Sequence, residues 1–222
     1  MSGWTIRHTL IAASVLTLLL VASLLWLLQS QQRDLTLQQA VFLTRPMPLP
    51  EFQLWDQYRQ PVSRDDLKGQ WHLLSYGFTY CPDICPMTLA KLSRFQQQLV
   101  EEQRFDDVQL LFYTVDPARD TPEVMQQYLG FFAADIRGLT PLQDVTAGRD
   151  FEQSLAILYQ MGAIDADNPA NYQVDHGVLL YLLNPAAQLQ AVFTPVNRLG
   201  DIPDFDPELL YQDYLAIRHF LQ

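Results

Sequence analysis

Residues 9–28 form an unbroken run without a charged side chain, rich in Leu, Val, Ile and Ala. In a helix rising ~1.5 Å per residue, such a run reaches ~30 Å, the depth of a bilayer core. It is longer than the ~7–15-residue core of a cleavable signal peptide, and no clear small-x-small site follows it. The run therefore predicts an uncleaved transmembrane anchor behind a short tail, residues 1–8. Arg7 precedes the span and Arg33 with Asp34 follows it, a charge bias that favours a cytoplasmic tail. Residues 29–48 are Gln-rich and then proline-punctuated, with Pro46, Pro48 and Pro50 forcing an extended path. They read as a stalk, with a folded domain at 49–222.

Within that domain the hydrophobic period alternates between strand and helix. Phe52, Leu54 and Trp55 suggest a short strand, and residues 71–78 have the near-continuous apolar character of a buried central strand. From Pro86 the period becomes helical, with Leu89, Leu92, Phe95 and Leu99 on one face and an end near Glu102. Residues 108–115 read as a second buried strand. Thr121 and Pro122 supply an N-cap and a first-turn proline for the next helix, whose inner face is Met125, Leu129 and Phe132. A helix over 146–160, a strand over 178–183, a turn at 184–187, a returning strand over 189–193 and a last helix from Pro207 complete the pattern. In that last helix Leu210, Tyr214, Ile217 and Leu221 face inward. This alternation predicts an α/β, three-layer, thioredoxin-like domain behind one N-terminal transmembrane helix.

Charge narrows the partners. Residues 31–222 hold all 25 acidic residues and 13 basic ones, for a formal charge of −12. Such a surface repels nucleic acid and anionic headgroups, and no Lys/Arg block offsets it. The chain has two cysteines, Cys81 and Cys85. In an exported domain a pair normally means a disulfide, but a staple closing so short a loop gives little entropic stabilisation. The pair also stands where the central strand gives way to a helix. Residues four apart on a helix share a face, and a helix N-terminus favours thiolates. Two thiolates can form a disulfide or bind a soft metal such as Cu(I), for which a third ligand would complete a site. Of the four histidines, His8 flanks the span, His72 opens the central strand and His219 lies on the last helix. His176 lies just before the 178 strand, beside the cysteine loop in such a fold. Its position leaves a ligand role and a polar loop role both open. Asp175 is a candidate to orient its ring.

The segments Gly77-Phe78-Thr79-Tyr80-Cys81-Pro82-Asp83-Ile84-Cys85-Pro86, Val115-Asp116-Pro117-Ala118-Arg119-Asp120-Thr121-Pro122 and Asp175-His176 resemble the Sco/SenC family from about Leu49 onwards. The family consists of membrane-anchored, thioredoxin-like copper proteins that help assemble the copper site of cytochrome c oxidase. The resemblance implies copper ligation by Cys81, Cys85 and His176. Tyr80 stands where the family commonly has histidine, Gly177 where it has Ser or Thr, and Asn184 where it has Asp. Asp116 and Asp120 read first as turn and capping residues, with Asp116 and Asp175 as candidates for tuning the metal.

The expectation is a copper metallochaperone rather than an enzyme. It would sit single-pass in the cell inner membrane with its domain in the periplasm, and serve the copper-binding oxidase subunit. A copper donor and a thiol reductant are the other implied partners. The alternative is a thiol–disulfide reductase, with Cys81 attacking and Cys85 resolving, that keeps the oxidase cysteines reduced. A thiol peroxidase and a structural disulfide in an interaction module are the remaining alternatives.

Overall fold

The computed structural model describes residues 3–30, 35–141, 145–163, 172–196 and 203–222; within these, the side chains at 3–7, 9, 25–30, 145 and 147 lie outside the description. The chain divides into two units, Met1–Thr36 and Leu37–Gln222.

The first unit is one helix, α1 (Gly3–Ser30). Its described apolar side chains are exposed, among them Leu10, Leu16, Leu18 and Leu24. The hydroxyls of Ser14 and Thr17 donate to the carbonyls of Leu10 and Ala13, so neither is left unpaired in this apolar stretch. Among the described residues no helix is long and apolar enough to cross a membrane. Of the expected span 9–28, Thr9 and residues 25–28 lie outside the described side chains.

In the second unit eight of the described strands form one mixed sheet. The strands are β1 (Ala40–Pro48), β2 (Gln53–Asp56), β3 (Pro61–Ser63), β4 (Trp71–Gly77), β5 (Val108–Thr114), β6 (Ile136–Thr140), β9 (Leu180–Asn184) and β10 (Gln188–Phe193). Their order is β1-β10-β9-β4-β5-β6-β2-β3. β4, β5 and β6 run parallel, and the other pairings are antiparallel. A separate two-stranded sheet joins β7 (Tyr159–Met161) to β8 (Val174–His176). The helices are α2 (Ile84–Glu101), α3 (Pro122–Leu129), α4 (Val145–Ser154) and α5 (Pro207–Phe220). Every residue of β4 is buried, as its continuous apolar run implied. Leu74 and Tyr76 join a core with Phe151 and Leu155. Across α2 and α5, Phe95 meets Tyr214 edge-on with ring centroids 5.1 Å apart.

The strand–helix alternation, the closing hairpin and the last helix are as expected, and Thr121 caps α3 by accepting from the Val124 N–H at 3.3 Å. Other expectations are corrected. Residues 40–48, expected in the stalk, pair with β10 at the sheet edge, where prolines are tolerated because an outward N–H has no ladder partner to lose. Gln38, Gln39 and Ala40 donate their backbone N–H groups to the buried carboxylate of Asp213 on α5, which ties this entry segment to the domain. β6 has no clear strand signature in the sequence, because Arg137 and Gly138 interrupt its apolar pattern. The helix expected over 146–160 ends at Ser154; Ala156 turns with φ 52° and the chain enters β7. Leu221 is exposed while Leu210, Tyr214 and Ile217 are buried.

His72, at the mouth of β4, is 1% exposed and its Nε2 lies 3.0 Å from the Leu67 carbonyl oxygen. Burial brings its pKa down to about 4, so the folded protein holds it neutral. The unfolded chain, with the ordinary value of 6.5, binds a proton that the fold refuses. Stability is therefore retained above pH ~6.5 and lost as pH falls towards ~4, by about 3 kcal/mol over that window. Urea denaturation from pH 7 to 4 should show a shallower acid loss for His72→Gln than for the wild type. Parallel profiles for the two proteins would refute this account.

Candidate metal centre

Cys81 does not sit on the helix, as its spacing from Cys85 suggested. It lies in the loop 78–83 that leaves β4, and Cys85 lies in the first turn of α2. A turn brings the two together: the Cys81 N–H donates to the Phe78 carbonyl at 3.2 Å. Asp83, the N-cap residue, makes no side-chain cap bond. The Cys85 backbone N–H donates instead to Cys81 Sγ at 3.4 Å, so a sulfur takes one of the free donors at the helix start. Pro82 thus precedes the helix and Pro86 falls within its first turn, where an N–H would have no intrahelical partner.

The two thiols differ in kind. Cys81 is half-buried and Cys85 is buried. The Cys81 pKa is lowered, first by a hydrogen bond from the Cys85 thiol and then, against the effect of burial, by nearby backbone N–H groups. The Cys85 pKa is raised, first by that same bond and then by its own burial. The pair therefore holds one proton between two sulfurs, on the Cys85 side. Gly77 makes room for this: a Cβ there would lie 2.5 Å from Cys85 Sγ.

His176 ends β8, and its Nε2 lies 3.5 Å from Cys85 Sγ. Its Nδ1 lies 2.7 Å from the Gly177 carbonyl oxygen, which can only accept. In the neutral ring that contact places the proton on Nδ1 and leaves the Nε2 lone pair facing the sulfurs. Tyr76 and Phe78 flank the ring with centroids at 5.6 and 5.7 Å. Gly177 passes close to Tyr76, where a Cβ would meet the Tyr76 hydroxyl at 2.6 Å. Asp175 is exposed, and the Gly177 carbonyl is the partner of the ring nitrogen. One ligand atom from each of Cys81, Cys85 and His176 lies within 4.8 Å of the others. Bonds of roughly 2.0–2.3 Å in a trigonal arrangement would hold such donors about 3.7–4.0 Å apart, so closing on one ion needs an inward shift of up to about 1 Å. Two sulfurs and one imidazole suit a soft or borderline ion. An open pocket of about 230 Å³ adjoins the site, lined by Phe78, Cys81, Asp83, Asp175 and His176 among others. The remaining histidines stand elsewhere: His8 on α1, His72 under Leu67, and His219 exposed against the Phe105 ring.

Asp116 and Asp120 are more than turn residues, for both are fully buried. Asp116 accepts from the Tyr172 hydroxyl and, at 2.5 Å, from Arg119 Nε. Asp120 accepts from the Thr79 N–H at 3.0 Å, from the Thr79 hydroxyl at 2.5 Å and from the Thr114 hydroxyl at 2.6 Å. Arg119 donates to the Tyr172 carbonyl at 2.9 Å and lies 3.7 Å from that ring's centroid. It also lies 5.0 Å from the Tyr80 ring, so the residue that replaces the family's histidine has a partner of its own. Sequence reasoning found neither Arg119 nor Tyr172, since nothing in their spacing says that they meet.

The thiol asymmetry has a direct readout. At pH 7 iodoacetamide should modify Cys81 at least tenfold faster than Cys85, as followed by peptide mass mapping, because the thiolate is the nucleophile and Cys81 is the more accessible. Equal rates, or faster labelling of Cys85, would contradict the assignment.

Residues 45–202 match the family described as SCO1/SenC. A putative copper-binding protein of Stutzerimonas stutzeri is 35% identical over 184 residues, 82% of this chain and 87% of that protein. The mitochondrial SCO2 homolog of Bos taurus is 39% identical over 176 residues, 79% of this chain but only 63% of its own length. The chain thus spans less than two thirds of that mitochondrial relative. Among solved structures, Bradyrhizobium japonicum ScoI with copper bound is similar at a TM-score of 0.61 and 26% identity, covering 78% of this chain and 99% of that one. Yeast Sco1 is similar at 0.64 and 28%, covering 78% and 98%. With the family pattern matched over most of the chain and the Cys81, Cys85 and His176 side chains gathered at one place, the chain belongs to the SCO1/SenC family.

Proposed function

We propose that this protein is a copper metallochaperone: Cys81, Cys85 and His176 hold a copper ion as cargo and pass it to the copper-binding subunit of cytochrome c oxidase. The observation that carries the reading is the gathering of two sulfurs and one imidazole nitrogen within 4.8 Å. Support comes from the copper-bound ScoI structure and the copper-binding relative. Cys81 offers a thiolate at neutral pH, and Cys85 gives up its proton on binding, as a thiol ligand must. A copper donor would load the site, and a thiol reductant would keep both sulfurs available. Asp175 and Asp116 are the candidate tuning residues, Asp175 from the pocket wall and Asp116 through Tyr172.

The second reading, a thiol–disulfide reductase, draws on the unequal thiols. The Cys81 thiolate would attack a partner disulfide. The Cys85 sulfur, once deprotonated, would displace the partner's thiol and leave a Cys81–Cys85 disulfide. This route needs no imidazole.

We further propose that residues 9–28 anchor the chain by a single pass in the inner membrane, with the domain in the periplasm and residues 1–8 in the cytoplasm. The charge-free stretch, its exposed leucines and its internally bonded hydroxyls support this.

Titration of the reduced full-length chain with copper should show one equivalent bound. Cys81→Ala and Cys85→Ala should lose nearly all binding, and His176→Ala should weaken it at least tenfold. Absence of binding by the wild type, or an unchanged His176→Ala, would sink the copper reading; disulfide reduction that survives in His176→Ala would favour the second. Carbonate washing should leave the full-length chain in the membrane pellet, whereas release into the supernatant would end the anchor proposal.

A further inference from the structure

Neither half of the metal centre lies within the main sheet. The loop 78–83 carrying Cys81 begins where β4 stops, at Gly77. β8, which carries His176, pairs with β7 in the separate two-stranded sheet and not with any of the eight main strands. The main sheet reaches both segments only at a distance: β9, which pairs with β4, starts at Leu180, four residues after His176, and Cys81 lies four residues past the end of β4. The residues in between need further support, and the loop 116–120 contacts both sides.

One arm of the loop reaches the cysteine side. Asp120 takes both the backbone N–H and the hydroxyl of Thr79, two residues before Cys81, and is braced by the Thr114 hydroxyl from β5. The other arm reaches the histidine side. Asp116 accepts the Tyr172 hydroxyl, and Arg119 grips the same residue through its carbonyl and its ring face. Tyr172 lies just ahead of β8, four residues before His176, so fixing it fixes the approach of that strand. Arg119 also belongs to both sides, because its guanidinium lies over Tyr80 and Phe78 of the cysteine loop as well as over Tyr172. Asp116 and Arg119 are bound to each other, so the two arms share one base. Two fully buried carboxylates are a costly choice for a mere turn; here every carboxylate oxygen has a donor and every donor leads to a ligand-bearing segment or to the frame.

We infer that Asp116, Arg119 and Asp120 are positioning residues whose two-armed grip on Thr79 and Tyr172 sets the distance between the Cys81 sulfur and the His176 imidazole. None of them touches the ion. This inference rests on the copper reading for its purpose but on the contacts alone for its geometry. It assigns a job to the 115–122 motif that the ligand set leaves unexplained.

The test separates the arms. In the metal-free full-length chain, Asp120→Asn should lower amide-exchange protection at Thr79, while Arg119→Lys and Tyr172→Phe should lower it at Gly162, whose N–H bonds the Gln173 carbonyl across the β7–β8 pair. With copper, Arg119→Lys should weaken binding about tenfold, the scale for residues that orient a ligand. In a His176→Ala background Arg119→Lys should cost much less, whereas Asp120→Asn should cost nearly as much as before, since its arm serves the sulfur. Tyr172→Phe keeps the ring and removes only the hydroxyl, so it reports the histidine arm even if Arg119→Lys fails to fold. Losses from Arg119→Lys or Tyr172→Phe that are equal with and without His176, or unchanged protection at Thr79 and Gly162, would overturn the inference. If the wild type binds no copper, the copper reading falls and the exchange data alone decide the role of the loop.

Discussion

The parallel pairing of β4 with β5, in register from Trp71 beside Val108 to Gly77 beside Thr114, is the constraint on which the site depends. Both strands end together, so the loop that leaves one and the loop that leaves the other emerge side by side at the carboxyl edge of the sheet. Open α/β sheets place their ligands at this edge for that reason. The Val115 N–H donates to the Gly77 carbonyl at 2.9 Å and continues the register one step past the ladder. From there Asp120 can reach Thr79, and the metal-side loop inherits its position from the sheet. A slip of one residue between β4 and β5 would turn these side chains to the opposite face.

Upon that frame the chemistry is local. The start of α2 aims its free N–H groups at Cys81, and a buried Cys85 supplies a donor rather than a second negative charge. Two adjacent thiolates would repel each other in a poorly solvated pocket; sharing one proton avoids this until a cation arrives to take its place. The imidazole adds a third donor atom, its Nδ1 bonded to a backbone carbonyl rather than to a carboxylate.

Much of this was readable from residue order. Strand β4, helix α2 and the capped start of α3 follow from uninterrupted periodicity and local capping chemistry, which do not depend on distant contacts. The candidate ligands could be named because Cys81-Pro82-Asp83-Ile84-Cys85 and Asp175-His176 resemble compact family motifs; position alone left His176 open. What stayed hidden depends on pairing between remote segments. β1 carries two prolines and reads as linker until β10 lies beside it. The meeting of Asp120 with Thr79, 41 residues apart, and of Arg119 with Tyr172, 53 apart, leaves no mark on the intervening sequence. The same holds for Asp116, whose Asp-Pro context is that of any turn while its carboxylate is wholly enclosed.

Gly77 has a consequence for how cargo would leave. Cys85 Sγ fits against a glycine Cα so closely that not even a methyl group could lie between them, and it is hemmed in from that side by the strand itself. Cys81 sits on a loop and His176 at the end of a two-stranded excursion, both nearer solvent. On the copper reading, the three bonds would therefore break in a fixed order. A partner's ligands would displace the sulfur and nitrogen at the rim while Cys85 serves as the hinge pin, the last attachment to let go.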